Sequence, residues 1–129
     1  LKLSLEKMVR DFTFCPVFLS LDISSNPPGP IHYAILAICN EALTNTAKHS
    51  NATRMDISLR QSVRGYQLPI VDNGSLPFQD DNLSHPGEGI GLYNMEDRIR
   101  QLDGQIHFSH ERGFRIFATI PWEAKGESQ

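Results

Sequence analysis

The spacing of apolar residues changes several times along this chain, and each change predicts a different element. Intervals of three or four residues predict one helix over residues 1–12 and another over about Pro30–His49. Between them, alternating apolar and polar positions over residues 17–23 predict a strand. The apolar stripe of the second helix comprises Ile31, Ala34, Ile35, Ile38, Cys39 and Ala42.

An antiparallel hairpin is predicted after the second helix. Apolar residues alternate over Met55–Leu59, Val63–Gly65 turns the chain, and Tyr66–Val71 forms the returning strand. Ser75–Glu88, which follows, has no apolar period and contains two prolines. A structureless stretch of this length in a compact domain is usually functional, so we predict that it is a lid.

A third helix and a second hairpin complete the predicted elements. The helix ends at the stop signal Asp103-Gly104, and its apolar stripe comprises Leu92, Met95, Ile99 and Leu102. The hairpin joins Ile106–Phe108 to Ile116–Ile120 through a turn near Arg112-Gly113. This order of helices and paired strands predicts an α/β fold, a two-layer sandwich in which a mixed, mostly antiparallel sheet is covered on one face by helices.

Length and composition describe a single ordinary domain. The chain has 129 residues, of which 40% are hydrophobic and 21% charged, so we expect one domain over residues 1–121 and a loose polar tail over residues 122–129. The net charge of -3 argues against direct nucleic-acid binding and against contact with an anionic membrane. Cys15 and Cys39 are too few for a disulfide framework, which indicates a reduced thiol at Cys39 and a cytoplasmic location.

Three polar side chains share one face of the second helix. Glu41, Asn45 and Lys48 fall within roughly 60° of one another around its axis. Mg²⁺ prefers a few protein oxygens together with phosphates, so Asn45 is suited to bind the metal and Glu41 to orient a metal-bound water. Lys48 and His49 are suited to offset phosphate charge. The same residues also fit an ordinary solvated helix face.

Two glycine-containing segments follow. In Asp72-Asn73-Gly74, an ionised Asp72 is suited to accept a hydrogen bond from an amine such as that of adenine, and Gly74 permits a close approach of the backbone. A plain turn explains this segment equally well. Gly87, Gly89 and Gly91 alternate before the third helix, which is typical of an anion site formed by backbone N–H groups; the competing explanation is a lid hinge.

In this order the segments resemble the ATP-binding catalytic domain of bacterial sensor histidine kinases, within the Bergerat-fold ATPase superfamily. Asn40–His49 resembles the N box, Asp72-Asn73-Gly74 the first glycine box, and Gly87–Leu92 the second. Tyr93–Arg98 is similar to kinases that pair with response regulators of the LuxR/NarL type. The resemblance extends to Pro121 and implies the Bergerat fold.

The resemblance also implies a role for each matching residue. It implies Asn45 as a Mg²⁺ ligand, Glu41 as the residue that organises metal and water, and Asp72 as the adenine acceptor. Lys48 or His49 is implied as a phosphate partner. The remaining residues implied to bind ATP are Gly74, Gly87, Gly89, Ile90, Gly91 and Leu92.

The implied function is transfer of the γ-phosphoryl group of Mg-ATP to a histidine on a separate dimerisation and phosphoacceptor domain of the same kinase. A response regulator is the next partner. Two alternatives remain open: an anti-sigma factor serine kinase of the same superfamily, and a degenerate module that docks a partner without turnover. The fragment itself is not expected to contact a membrane, although the full-length protein can be membrane-anchored.

Three departures from the family pattern qualify these expectations. Leu76 stands where the first glycine box usually has a second glycine. Pro69 falls in a strand that should be internal, where its missing N–H predicts a bulge. None of the five histidines lies in a helix with the phosphoacceptor pattern.

Overall fold

The computed structural model describes residues 1–75, 86–110 and 113–122, and over residues 86–91 it describes the backbone alone. The elements of this part of the chain are, in order, α1 (Lys2–Asp11), β1 (Val17–Asp22), α2 (Gly29–His49), β2 (Met55–Gln61), β3 (Gly65–Asp72), α3 (Pro86–Arg100), β4 (Gln105–Ser109) and β5 (Arg115–Pro121).

The strands form one mixed sheet in the order β1-β2-β3-β5-β4. β1 and β2 are parallel, and every other neighbouring pair in this sheet is antiparallel. Parallel neighbours need a crossover connection, and α2 provides it between β1 and β2. α1 packs on β1, α2 on β3, and α3 on β4 and β5. The predicted α/β sandwich with a mixed, mostly antiparallel sheet is confirmed.

The hydrophobic core lies between the helices and one face of the sheet. Every residue of the predicted α2 stripe is at most 4% exposed. So are the alternate residues of the three central strands, namely Met55, Ile57, Leu59, Tyr66, Leu68, Ile70, Ile116, Ala118 and Ile120. Phe18 and Phe117, on the opposite face, are 51% and 38% exposed. The period of two in the sequence therefore separates a covered face from an open one.

Pro69 interrupts the pairing of β2 with β3 without shifting its register. The same register holds on both sides of this position, from Met55 opposite Asp72 to Gln61 opposite Tyr66. The predicted bulge is therefore wrong, because a bulge would insert an unpaired residue and change the register. The missing N–H of proline instead removes ladder pairing locally, and β3 stays aligned with both neighbours.

α3 begins earlier than the apolar stripe indicates. The helix starts at Pro86, so Gly87, Gly89 and Gly91 lie in its first turns rather than in a loop before it. Proline favours the first position of a helix, because its fixed φ suits the helix and its N–H is not needed there. At the other end, the predicted stop is confirmed. Asp103 adopts a φ of 64°, and the N–H of the next residue, Gly104, donates to the Ile99 carbonyl.

Trp122 is attached to the sheet. Its indole N–H donates to the Val63 carbonyl at 2.9 Å, and its ring lies 5.0 Å from that of Tyr66, centroid to centroid. The prediction of a loose tail is thus wrong at Trp122. Residues 123–129 of the tail and residues 76–85 of the predicted lid lie outside the described residues. Among the helices of the described part, none combines the length and apolar character needed to cross a membrane.

Candidate functional site

Asp72 is a buried carboxylate at the end of the central strand β3, and only 2% of its surface is exposed. Its Oδ1 accepts hydrogen bonds from two backbone N–H groups, that of Gly74 at 2.9 Å and that of Phe114 at 3.2 Å. Its Oδ2 accepts a hydrogen bond from the Thr46 hydroxyl at 3.0 Å. Burying a carboxylate is costly unless it is hydrogen-bonded, and all three donors here are neutral.

Thr46 is a site residue that the sequence interpretation missed. It lies on α2 immediately after Asn45, and its side chain is 2% exposed. A signal was present, because Thr46 follows Ala42 by four residues and so continues the apolar stripe with a polar side chain. A hydroxyl at such a position needs a partner, and Asp72 is that partner.

The β4–β5 turn supports Asp72 through the backbone of Gly113 and Phe114. The Asp72 N–H donates to the Phe114 carbonyl at 3.0 Å, and the Phe114 N–H returns a bond to the carboxylate. Gly113 has a φ of 84°, and a Cβ on it would overlap the Asp72 carbonyl oxygen. Glycine is required at this position both by backbone conformation and by space.

We expect Gly113→Ala to lower the free energy of unfolding by at least about 2 kcal/mol, because it adds backbone strain to a steric clash. Urea unfolding measures the loss. Gly29→Ala is the matched control, because a Cβ on Gly29 meets no heavy atom within 4 Å. That control should stay within about 1 kcal/mol of the wild type. Equal stability of the two variants would contradict the proposed close approach.

Gly74 follows β3 and packs closely against the residues that follow α2. A Cβ on Gly74 would overlap the Ser50 hydroxyl and lie 3.2 Å from the Asn51 side-chain oxygen. Asn51 accepts a hydrogen bond from the Ser75 N–H and donates one to the Ser75 hydroxyl, at 2.8 and 3.0 Å. The segment leading into the predicted lid is therefore held against the residues that follow α2.

Asn73 has a structural role within the Asp72-Asn73-Gly74 segment. Its side-chain oxygen accepts hydrogen bonds from the N–H groups of Thr53 and Arg54, at 2.8 and 3.0 Å. The plain-turn interpretation therefore holds for Asn73. Asp72 does more than a turn requires, because its carboxylate contacts α2 and the β4–β5 turn.

Glu41, Asn45 and Lys48 keep the common face of α2 that their spacing predicts, but their side chains differ in exposure. Glu41 and Asn45 are half-buried, and their spacing of four places them about 40° apart. Lys48 is exposed, and it lies about 160° around the helix from Thr46. His49 is half-buried at the C-terminal end of the helix. Asn45 lies about 100° from Thr46 around the helix axis, whereas Glu41 lies about 140° away. Asn45 is therefore the nearest of the three to the Thr46 side, and the structure does not bring Lys48 to Asp72.

Lys48 instead lines a groove of about 430 Å³ between α1 and α2. The groove also contacts Phe12, which directly follows α1, and Asn40 and Thr44 of α2. Neither Asp72 nor Asn45 lines it. This groove is a different surface from the one that holds Asp72.

The second glycine box forms the first turns of α3. Gly87, Gly89, Ile90 and Gly91 lie in this part of the helix. Leu92 is half-buried and packs against the hydrophobic core, which gives it a structural role. Gly87 thus lies among the first residues of the helix, where unpaired backbone N–H groups and the helix dipole favour anions, and Gly89 and Gly91 follow within the next turn.

Both cysteines are buried free thiols. Burial raises the pKa of Cys39 to about 12, which agrees with the predicted reduced thiol in the core. Burial also raises the pKa of Cys15, and the negative charge of Asp72 raises it further. Within the described residues, no group of three or more His, Cys, Asp and Glu side chains is arranged to hold a metal ion.

Comparison with known proteins identifies one matching family and several similar proteins. Residues 33–124 match the family of histidine kinase-, DNA gyrase B-, and HSP90-like ATPases. The chain is similar to the sensor protein NarQ homolog of Haemophilus influenzae, with 38% identity over 103 residues that cover 76% of this chain and 17% of that protein. It is also similar to the sensor histidine kinase LnrJ of Bacillus subtilis, with 31% identity over 91% of this chain and 29% of that protein.

Two solved structures share the fold. The histidine kinase AdeS of Acinetobacter baumannii matches with a TM-score of 0.69 and 25% identity, over 94% of this chain and 64% of that one. The ATP binding domain of PrrB from Mycobacterium tuberculosis matches with a TM-score of 0.62 and 22% identity, over 95% of this chain and 90% of that one, which shows the fold alone.

The chain spans between 17% and 29% of the length of these two curated relatives. The family match covers more than half of the chain, and the solved structures agree with it in fold. The chain therefore belongs to the family of histidine kinase-, DNA gyrase B-, and HSP90-like ATPases, and the relatives named above are sensor proteins and histidine kinases.

Proposed function

We propose that this domain binds Mg-ATP and donates the γ-phosphoryl group to a histidine on a separate phosphoacceptor domain of a sensor kinase. The observation that carries the proposal is the hydrogen bonding of Asp72. A carboxylate has about four acceptor positions. Donors among the described residues use three of them, two on Oδ1 and one on Oδ2, and we assign the fourth position, on Oδ2, to the ligand. A single amine group, as on adenine, matches one remaining acceptor.

The metal proposal rests on the donor set of α2. Asn45 and Glu41 offer one amide and one carboxylate group from half-buried positions on neighbouring turns. This small set fits Mg²⁺, which is usually held by one or two protein groups together with waters and phosphates. When bound, the metal neutralises charge on the phosphates during transfer. Asn45 would hold the metal, and Glu41 would orient a water beside it.

The phosphates are assigned to the first turns of α3. Gly87 lies in the first turn, where backbone N–H groups have no intrahelical partner, and it has no side chain to block access to them. Gly89 and Gly91 follow it, also without side chains. His49 is a further phosphate partner at the end of α2. Lys48 remains a proposed partner only if its long side chain turns away from the groove that it lines.

The partners follow from the family. Relatives of this chain are several times longer, so we propose that the complete protein contains the dimerisation and phosphoacceptor domain and acts in the cytoplasm on a response regulator. The Tyr93–Arg98 segment supports a regulator of the LuxR/NarL type. Positioning and charge neutralisation supply most of the catalysis in such transfers.

Isothermal titration with ATP, with and without Mg²⁺, tests the metal proposal. Wild-type protein should bind ATP more tightly with Mg²⁺, and Asn45→Ala should lose most of that gain, because the amide oxygen is removed. Asn40→Ala is the matched control, since Asn40 is on the same helix but lines the groove against α1. It should keep the wild-type response to Mg²⁺. An unchanged Mg²⁺ effect in Asn45→Ala would remove Asn45 from the site.

A further inference from the structure

The hydrogen bond between Thr46 and Asp72 links a residue of the N box to a residue of the first glycine box. Thr46 lies on α2 and Asp72 at the end of β3, and both are 2% exposed. The hydroxyl donates to Oδ2 at 3.0 Å. Its single proton is committed to that bond, so Thr46 has no second donor to offer a ligand.

The other carboxylate oxygen is already filled. Oδ1 accepts two backbone N–H bonds, from residues on either side of the site. These donors belong to the main chain and are present whatever the side chains of Gly74 and Phe114 are. Oδ2 is therefore the oxygen whose hydrogen-bond acceptor positions depend on a side chain, and among the described residues that side chain is Thr46.

We propose that Thr46 is a specificity-determining positioning residue for the purine base. It fixes the carboxylate plane and takes one of the two acceptor positions of Oδ2, which leaves one for an exocyclic amine. This inference rests on the proposed function, in which Asp72 accepts the adenine amine. It adds a residue that acts through Asp72 rather than touching the nucleotide.

The arrangement disfavours guanine because the Asp72 carboxylate has too few acceptor positions left to pair with it. Guanine carries a carbonyl oxygen where adenine has its amine, and its two neighbouring N–H donors pair best with both oxygens of a carboxylate. With both positions of Oδ1 and one of Oδ2 taken, one acceptor position remains, whereas this two-point pairing needs one on each oxygen. Sites built around particular hydrogen bonds reject analogues that leave those groups unpaired.

The test compares ATP with purine riboside triphosphate, which lacks the 6-amino group. The ratio of their dissociation constants isolates the contribution of the amine, because the phosphates and ribose are unchanged. In the wild type the ratio should be about tenfold or more, as expected for a hydrogen bond to a charged group. Thr46→Val keeps the size but loses the hydroxyl, and its ratio should fall at least about threefold. Thr46→Ser keeps the hydroxyl and should retain the wild-type ratio.

The outcomes separate this inference from the proposed function. A large wild-type ratio that Thr46→Val leaves unchanged overturns the role of Thr46 but keeps Asp72 as the adenine acceptor. A wild-type ratio near one overturns both. A fall in Thr46→Val with no fall in Thr46→Ser supports the inference, because a packing role would not depend on the hydroxyl.

A measurement on the wild type covers the case in which Thr46→Val does not fold. By NMR, the Thr46 hydroxyl proton should be protected from exchange and should show a nuclear Overhauser effect to the 6-amino protons of bound ATP, because both donors share Oδ2. A protected hydroxyl without this effect overturns the inference. A hydroxyl that exchanges too fast to observe also contradicts it, because a buried hydroxyl bonded to a carboxylate exchanges slowly.

Discussion

Incubated alone with ATP labelled at the γ-phosphate, this domain is expected to bind nucleotide but to gain almost no acid-labile phosphate. Transfer requires a histidine nitrogen aligned with the γ-phosphate, and correct alignment can supply roughly 7–11 kcal/mol of the barrier reduction. The described histidines lie at the two ends of α2 and on or beside β4. None is in a helix with the phosphoacceptor pattern, so the large proximity contribution is absent.

Addition of the phosphoacceptor domain of the same kinase should restore labelling on that partner. The reaction with Asn45→Ala is the control, because it should label the partner far more slowly. Acid treatment then identifies the linkage, since phosphohistidine is acid-labile and phosphoserine is not. Strong labelling of the isolated domain would overturn the proposed division of roles. Acid-stable labelling of a partner would favour the serine kinase alternative.

The second large effect is expected at Asp72. The wild type should prefer ATP to GTP by at least about tenfold, and Asp72→Ala should erase most of that preference. The substitution also leaves three buried donors without an acceptor, each costing about 1–3 kcal/mol. Calorimetric affinities for both nucleotides measure the preference, and urea unfolding measures the loss of stability.

Asp72→Asn tests the same assignment with a smaller loss of stability than Asp72→Ala. Its amide oxygen can still accept the two backbone N–H bonds, while its NH₂ group faces the position of the purine. A donor there opposes the adenine amine and suits the guanine carbonyl, so the preference for ATP should shrink or reverse. Asp56→Ala is the control, because Asp56 is an exposed carboxylate on the neighbouring strand that pairs with Arg54. Equal affinity of the wild type for ATP and GTP would defeat the assignment of Asp72.

Much of the fold could be predicted from residue periodicity. Every residue of the predicted α2 stripe is buried, and so are the alternate residues of the central strands. These positions are predictable because the apolar face of each element can be identified from its own sequence. The start of α3 could not be placed in this way. Its first turn carries glycines rather than a stripe, and only Pro86 marks the beginning.

The candidate site was predictable only in part, because its contacts join distant segments. Asp72 stood out as an acidic residue at the end of a strand. Its hydrogen bonds to Thr46 and Phe114 span 26 and 42 residues. The apolar stripe of α2 marks Thr46 as a buried position, but no local pattern identifies Asp72 as its partner or marks Phe114. The sequence places Trp122 in the tail for the same reason, since its partners Val63 and Tyr66 lie in the distant first hairpin.

The position of β5 in the sheet has a consequence for how the protein is made. β5 is the last described strand in the chain, yet it lies between β3 and β4 rather than at an edge. As the polypeptide leaves the ribosome, Asp72 emerges long before the Phe114 amide that completes its hydrogen bonding. Because Asp72 is the proposed adenine acceptor, we expect nucleotide to assist folding through this carboxylate only after β5 has entered the sheet.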